Sequence, residues 1–175
     1  MQRMRTLYLL RHAKSSWDDP ALDDHERPLA PRGEQATPLI ADHMRATGIT
    51  PDVVLCSSAT RARQTLDLLG DALPADCDVR IEDEVYVASA DTLLARLQGL
   101  PRTAERMMLV GHNPALQQLA LQLSSGGPQL DQVRQKFPTA ALATLEATID
   151  DWSQLASQSA QLTAFVRPKD LEPDG

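Results

Sequence analysis

The sequence predicts an α/β fold: a three-layer α/β/α sandwich with a mainly parallel sheet. One observation is that short, continuous apolar runs occur at residues 6–10, 53–56 and 107–110, as they do in strands that are covered on both faces. The other is that segments with helical spacing of apolar residues lie between and after these runs. Alternation of strands and helices on this scale is typical of a largely parallel sheet with helices on both sides.

Residues 31–43 have the pattern of an amphipathic helix that ends near Gly48, but Gly33 and Pro38 lie inside it. Because proline kinks or breaks the interior of a helix, the sequence predicts a kinked helix or one whose regular part starts near Thr37. The later segments with helical spacing contain no such interruption. The helices that they predict cover residues 59–69, 91–100 and 114–123.

The last third of the chain is predicted to add two more strands, at residues 140–147 and 162–166, although the composition of the first also allows a helix. Residues 150–159 are polar and are expected to connect these strands. No linker or repeat divides the chain, so residues 1–167 are expected to form a single domain. Residues 168–175 are expected to form a polar tail whose composition is compatible with disorder.

The chain has 175 residues, a net charge of −7, and 42% hydrophobic but only 3% aromatic residues. This charge disfavours general attraction to nucleic acids or anionic membranes, so neither partner is expected. No apolar run is long enough to cross a bilayer, and the run before Arg11 is too short for a signal peptide. Cys56 and Cys77 lack the spacing of a metal or redox motif, and the presence of only two cysteines favours a reducing compartment. We therefore expect a cytoplasmic protein, and a monomer because no large apolar patch is evident.

Polar side chains follow three predicted strands at the point where each strand ends. The pair Arg11-His12 follows the first strand, residues 57–61 follow the second and end with Arg61, and His112 follows the third. Ligands of open α/β sheets bind beyond the carboxyl ends of the strands. Two arginines and two histidines gathered there would suit a phosphoryl group, because guanidinium groups bind phosphate oxygens in pairs. A histidine among cations is shifted toward its neutral form, whose free nitrogen can attack phosphorus.

Four motifs of the chain, taken together, resemble the histidine phosphatase superfamily, which has the phosphoglycerate-mutase-like fold. The resemblance is to its small SixA-like branch of phosphohistidine phosphatases, and KFPTAALATLEA extends it toward the late strands. Each motif alone would mean little, but in this order and at this spacing they are highly specific. The motifs are LLRHAKSSW, DDHERPLAPRG, SSATRARQT and LVGHNPAL.

The resemblance implies a role for each matching position. His12 matches the histidine that becomes phosphorylated. The other residues of the catalytic phosphate pocket are matched by Arg11, Arg61 and His112. Asn113 is a candidate for the pocket wall. The implied reaction is phosphate hydrolysis through a phosphohistidine intermediate. No metal or other cofactor is expected, because the pocket supplies the positive charge and the four histidines are too scattered for a metal site.

The sequence leaves the general acid open. Glu84, ahead of Asp83, is the best match to the carboxylate with which many members of the superfamily protonate an alkoxide, but the fuller motif is missing. The leaving nitrogen of phosphohistidine can be protonated before the P–N bond breaks, whereas an alcohol oxygen needs a positioned acid. Protein phosphohistidine is therefore the favoured substrate. The alternatives are a phosphatase for small phosphorylated metabolites, which requires Glu84 or Asp83 in the pocket, a mutase, and a non-catalytic module that binds phosphorylated partners.

Several other polar residues have structural interpretations. Ser57 and Ser58 are expected to cap the following helix and not to act as nucleophiles. Cys56 ends an apolar run and is expected to be a buried thiol. Arg27 is expected to anchor the loop after the first strand. Ala30 stands where the superfamily often has Thr, so the usual N-cap of the next helix is missing.

Overall fold

A seven-stranded sheet forms the centre of the structure, which is a computed structural model that describes residues 3–173. Its strands are β1 (Met4–Arg11), β2 (Val53–Ser57), β3 (Asp78–Glu82), β4 (Arg106–Gly111), β5 (Ser124–Gly126), β6 (Leu142–Thr148) and β7 (Ala160–Val166). Across the sheet they lie in the order β3-β2-β4-β1-β6-β7-β5. The first four in this order run parallel, whereas β6 is antiparallel to both β1 and β7. The mainly parallel sheet expected from the sequence is confirmed.

Helices cover both faces of this sheet. They are α1 (Pro31–Thr47), α2 (Thr60–Leu69), α3 (Asp83–Tyr86), α4 (Ala90–Gln98), α5 (Ala115–Leu123), α6 (Leu130–Gln135) and α7 (Pro168–Leu171), with 3₁₀ turns at Asp24–Glu26, Gly70–Ala72 and Trp152–Gln154. In β1, Leu7 and Leu9 share a core with α4 and α5, whereas Tyr8 and Leu10 share the opposite core with α1 and α2. The three-layer arrangement is thus confirmed. Within residues 3–173, no helix has both the length and the apolar character that a membrane crossing requires.

The helices predicted at residues 59–69, 91–100 and 114–123 are confirmed with small shifts at their ends. Of the two alternatives predicted for α1, the late start near Thr37 is wrong, because the helix begins at Pro31 and continues through Pro38. Pro38 has no N–H to donate to the carbonyl oxygen of Glu34, but both residues are exposed, so this oxygen lies on the solvent side of the helix. Gly48, with φ of 73°, ends the helix as expected.

The first turn of α1 packs directly on the loop that follows β1. A Cβ atom on Gly33 would lie only 2.3 Å from the carbonyl oxygen of Lys14, so this position tolerates no side chain. Ala30 precedes the helix and provides no side-chain cap, as expected. Arg27 fixes the same loop, because its guanidinium donates to the hydroxyl of Ser15 at 2.6 Å. The predicted anchoring role of Arg27 is confirmed.

The last part of the chain completes the sheet with β6 and β7, which confirms strands for both late segments. The connection between them buries Trp152, whose indole Nε1 donates to the carbonyl oxygen of Ala104 at 2.6 Å. The polar tail expected from residue 168 onward begins with α7, and Leu171 packs against the core that contains α1. Residues 168–171 form this short helix. We propose that the domain extends through α7.

Candidate active site

The carboxyl ends of β1, β2 and β4 meet at a cavity of about 450 Å³. The strand β4 lies between β1 and β2 and is parallel to both, so the loops that follow these strands open at one edge of the sheet. All five residues that the sequence analysis assigned to the phosphate pocket and its wall line this cavity. They are Arg11, His12, Arg61, His112 and Asn113. The structure therefore brings together side chains that are far apart in the sequence.

His12 is buried, and its ring is held in one tautomer. Its Nδ1 lies 2.7 Å from the carbonyl oxygen of Ala13, and because a carbonyl oxygen only accepts, Nδ1 carries the proton. Nε2 therefore keeps its lone pair. Burial lowers the pKa of His12 to about 3; the bond to Ala13 acts in the opposite direction, and His112, Arg61 and Arg11 add to the lowering. The ring is consequently neutral near pH 7.

His112 lies beside His12, with the two ring centroids 5.1 Å apart. Its Nε2 is 2.7 Å from the hydroxyl oxygen of Ser57, which accepts a hydrogen bond from the backbone N–H of Ala59 at 3.1 Å. Burial, followed by the charge of Arg61, lowers the pKa of His112 to about 4. The Ser57 hydroxyl can donate its own proton to Nε2, and the proton of the neutral ring then lies on Nδ1. In this state His112 offers a hydrogen-bond donor without a positive charge.

The residues at the end of β2 differ partly from their sequence interpretation. The N-cap of α2 is Ala59, which makes no side-chain cap bond, so the expectation that Ser57 or Ser58 caps this helix is wrong. Both hydroxyl groups are instead bonded to histidines, Ser58 to Nε2 of His25 at 2.8 Å. Cys56 is fully buried, and burial raises the pKa of its thiol to about 12. The interpretation of Cys56 as a buried thiol is confirmed.

Arg61 is buried and is held by Asp24, which lies in the 3₁₀ turn after the β1 loop. The guanidinium of Arg61 donates to the backbone carbonyl oxygen of Asp24 at 2.6 Å and to its Oδ2 at 3.0 Å. The same carboxylate accepts from the hydroxyl of Tyr86 at 2.7 Å and from Arg27 at 3.0 Å. The bond from Tyr86, followed by those from Arg61 and Arg27, holds the pKa of Asp24 well below its usual range. Asp24 thus orients Arg61, whose other guanidinium N–H groups make no hydrogen bond within residues 3–173.

Arg11 and Asn113 both donate to the carbonyl oxygen of Phe137, at 2.9 and 3.1 Å. The Nε of Arg11 is buried and has no hydrogen-bond partner among residues 3–173. Burial and the nearby charge of Arg61 lower the pKa of Arg11. The cavity therefore concentrates positive charge and unused donors in a chain whose net charge is −7. Such a site favours an anion.

The predicted general-acid candidates do not reach the cavity. Asp83 and Glu84 are exposed on α3, and neither lines the cavity; Tyr86 and Val87 do so instead. In the described part of the chain, Asp24 is the only carboxylate that lines it. Sequence reasoning missed Asp24 and Tyr86. Asp24 lies inside the motif DDHERPLAPRG and could have been found there, but its bond to Tyr86 joins residues 62 positions apart and has no local signal.

Comparisons with known proteins agree with this fold and with the motifs that surround the cavity. The family model of the histidine phosphatase superfamily (branch 1) matches residues 7–86. An uncharacterized protein of Mycobacterium tuberculosis (strain CDC 1551 / Oshkosh) is 35% identical over 164 residues, which cover 91% of this chain and 100% of that protein. A solved structure from Nakamurella multipartitia, provisionally assigned as a phosphohistidine phosphatase SixA, superposes with a TM-score of 0.81 at 31% identity, and covers 95% of this chain and 97% of the other.

The chain therefore belongs to the histidine phosphatase superfamily and has its phosphoglycerate-mutase-like fold. Within the superfamily it fits the SixA-like branch. The phosphohistidine phosphatase SixA of Escherichia coli (strain K12) is 28% identical over 147 residues, which cover 83% of this chain and 86% of that protein. The family resemblance stated from the four motifs is confirmed.

The two buried histidines predict that acid weakens the fold. Their folded-state pKa values, about 3 and about 4, lie below the value of 6.5 expected for an unfolded histidine. As the pH falls below about 6.5, the unfolded chain takes up protons that the folded chain does not, and the free energy of unfolding decreases by up to about 1.4 kcal/mol per pH unit for each histidine. Urea unfolding between about pH 7 and about pH 4 measures this slope.

The matched variant is His12→Asn/His112→Asn, which cannot titrate at these positions. Its free energy of unfolding is expected to depend less steeply on pH over the same range. Parallel curves for wild type and variant would contradict the assignment of the two rings as neutral in the folded state.

Proposed function

We propose that the chain is a metal-independent phosphatase that acts through phosphorylation of His12, most favourably on protein phosphohistidine. The observation that carries the proposal is a neutral, buried His12 with a free Nε2 in a cavity that Arg11, Arg61 and His112 also line. A neutral imidazole is the nucleophile, and the surrounding donors fit the oxygens of a phosphoryl group.

The first step transfers the phosphoryl group to the enzyme. The lone pair on Nε2 of His12 attacks phosphorus, the new N–P bond forms, and the bond from phosphorus to the leaving imidazole breaks. The substrate ring carries a proton on the nitrogen that is not bonded to phosphorus, so it departs as neutral imidazole when the electron pair of the P–N bond returns to it. In the second step water attacks phosphorus, the N–P bond breaks, and its electron pair returns to Nε2. The products are inorganic phosphate and the free enzyme.

The residues around His12 would stabilise charge as the transition state forms. Arg11 and Arg61 supply two guanidinium groups to the phosphoryl oxygens, and preorganised donors of this kind act most strongly where water is excluded. His112, bonded through Nε2 to Ser57, would donate from Nδ1 as a neutral ring. Because these side chains supply positive charge and donors, the proposed reaction needs no metal ion.

The lack of a protonated carboxylic acid among the described residues that line the cavity favours phosphohistidine over a phosphate ester as the substrate. A phosphate-ester substrate would need a carboxylic acid near its leaving oxygen, but Asp83 and Glu84 do not line the cavity. Asp24 does line it, yet its bonds from Tyr86, Arg61 and Arg27 keep it ionised, so it has no proton to give. The imidazole ring of phosphohistidine can acquire a proton from water on its unphosphorylated nitrogen before the P–N bond breaks, so it leaves as a neutral ring without a positioned acid. That the protein acts as a monomer in the cytoplasm stays a prediction from composition.

A substrate panel tests this proposal. We expect wild-type protein to hydrolyse a phosphohistidine-bearing peptide and phosphoramidate much faster than p-nitrophenyl phosphate and sugar phosphates, measured as kcat/KM from phosphate release. A clear preference for the esters would overturn the substrate class but not the role of His12. Tight binding of phosphohistidine without turnover would instead indicate a binding module.

A further inference from the structure

A second cavity, which we call the lysine groove, adjoins the candidate active site. It has a volume of about 540 Å³, and Lys14 and Thr139 line both cavities. Three parts of the chain build it: the β1 loop with the start of α1, the segment from α6 to β6, and α7. The loops that close the phosphate cavity on this side therefore form a common wall with the groove.

The lining of the groove is strongly cationic. All three lysines of the chain, Lys14, Lys136 and Lys169, line it, together with Arg32 and Arg167, and Glu172 is the only carboxylate among its lining residues. Asp170 neutralises Arg167 through a salt bridge of 2.8 Å. Within residues 3–173, the three lysines and Arg32 form no salt bridge.

This concentration of charge runs against the rest of the molecule. The chain has 24 acidic and 17 basic residues, and most of its arginines are paired with carboxylates or carbonyl groups. Like charges gathered on one face repel each other and destabilise the fold slightly, and a ligand of opposite charge offsets this repulsion. An acidic molecule would be repelled by most of the surface and attracted to the groove, which would also orient it.

The nature of the side chains favours a protein as the occupant. Sites for small molecules are largely apolar and enclose most of the ligand, whereas Lys14, Lys136, Lys169 and Arg32 are exposed. Lysine is a flexible, well-hydrated point charge that suits the adaptable rim of a protein interface more than a fixed small-molecule site. The position next to His12 means that a protein bound in the phosphate cavity would lay neighbouring side chains over the groove.

We propose that the lysine groove binds acidic side chains that flank the phosphohistidine of the protein substrate. This inference rests on the proposed function and adds to it the kind of protein surface that is recognised. The groove would select acidic substrate proteins chiefly by speeding encounter and fixing orientation, and it would take no part in the chemical step.

The test uses two peptides that each carry one phosphohistidine. Glutamates flank the phosphohistidine of the first peptide, and glutamines flank that of the second. Phosphoramidate serves as a third substrate, which is too small to contact the groove. The groove variant is Lys136→Glu/Lys169→Glu. Its control, Arg63→Glu/Arg102→Glu, makes the same change in net charge at exposed positions outside both cavities. Wild type and control are expected to prefer the glutamate peptide by about tenfold in kcat/KM, as a few exposed ion pairs allow.

The groove variant should lose this preference, and the dependence of kcat/KM on salt should weaken with it, while its rate on phosphoramidate matches wild type. Equal kcat/KM for the two peptides with wild type, or a preference that survives in the groove variant, would overturn the inference. So would tighter binding of a single-stranded oligonucleotide than of the glutamate peptide, which would assign the groove to nucleic acid.

Failure of the proposed function has a different signature. It would appear as no turnover of either peptide or of phosphoramidate by wild type. The groove is then judged by equilibrium binding of the unphosphorylated glutamate peptide, measured by fluorescence anisotropy. Binding that the groove variant loses and the control keeps would support the groove, and equal binding by all three proteins would overturn it.

Discussion

Replacing His12 with alanine is expected to abolish phosphatase activity, with a loss of at least about 10⁴-fold in kcat/KM. The proposed attacking atom is Nε2 of His12, which is freed by the bond between Nδ1 and the Ala13 carbonyl oxygen. His112 cannot substitute for it, because its Nε2 is bonded to Ser57. Phosphoramidate hydrolysis measures the loss, and rapid quenching after mixing with phosphoramidate measures phosphate bound to the protein. Wild type should yield phosphate that is released by acid, and the His12→Ala protein should yield none.

The matched control is His43→Ala, which removes a partly buried histidine from α1, away from the cavity. It should keep both turnover and acid-labile phosphate. Circular dichroism of each variant separates loss of chemistry from loss of folding. If His12→Ala still formed the acid-labile phosphate, or hydrolysed phosphoramidate as fast as wild type, the nucleophile would have to be another residue.

Replacing Arg61 with alanine is expected to lower kcat/KM by about 10²- to 10³-fold, which corresponds to about 3 to 4 kcal/mol of transition-state stabilisation. Arg61 is buried, is oriented by two hydrogen bonds to Asp24, and lies close enough to both histidines to lower their pKa values. In the proposed mechanism its removal would take a fixed guanidinium from the phosphoryl oxygens. Most of the loss should appear in kcat, because this charge acts most strongly in the transition state.

Two further substitutions sharpen the test of Arg61. Arg63→Ala removes an exposed arginine from the same helix and should leave kcat/KM within about twofold of wild type. Arg61→Lys keeps the charge but not the paired donors, so it should recover only part of the loss. Equal effects of the Arg61→Ala and Arg63→Ala substitutions on kcat/KM would show that Arg61 stabilises α2 and takes no part in the reaction.

Local patterns in the sequence were sufficient to predict the sheet and most of the cavity. Strands buried on both faces need continuous apolar runs, and the polar residues that end β1, β2 and β4 stand where parallel strands bring their loops together. The positions of Arg11, His12, Arg61 and His112 around one cavity follow from those two facts. Their roles in catalysis stay predictions.

The features that could not be predicted depend on contacts between distant segments. Pro38 indicated a kink or a late start near Thr37, but α1 already begins at Pro31 and continues through Pro38, where the carbonyl left without a donor lies on the solvent side. The expectation for Ser57 failed because its hydroxyl is used by His112, 55 residues away. The acid candidates Asp83 and Glu84 were chosen by resemblance to the carboxylate of the superfamily, yet Tyr86, at the end of α3, and Val87, which follows it, line the cavity instead. None of these outcomes is encoded in propensity or spacing alone.

The acceptor that fixes the tautomer of His12 belongs to the main chain, so any amino acid at position 13 would provide it. No substitution at position 13 removes that oxygen. A single substitution does remove the guanidinium of Arg61 or the hydroxyl of Ser57. Ala13 is fully buried, and substitutions there would therefore act through the bulk of the new side chain. A single substitution at position 13 therefore leaves the acceptor for Nδ1 of His12 in place, and we expect inactivating substitutions to fall among the side chains around His12.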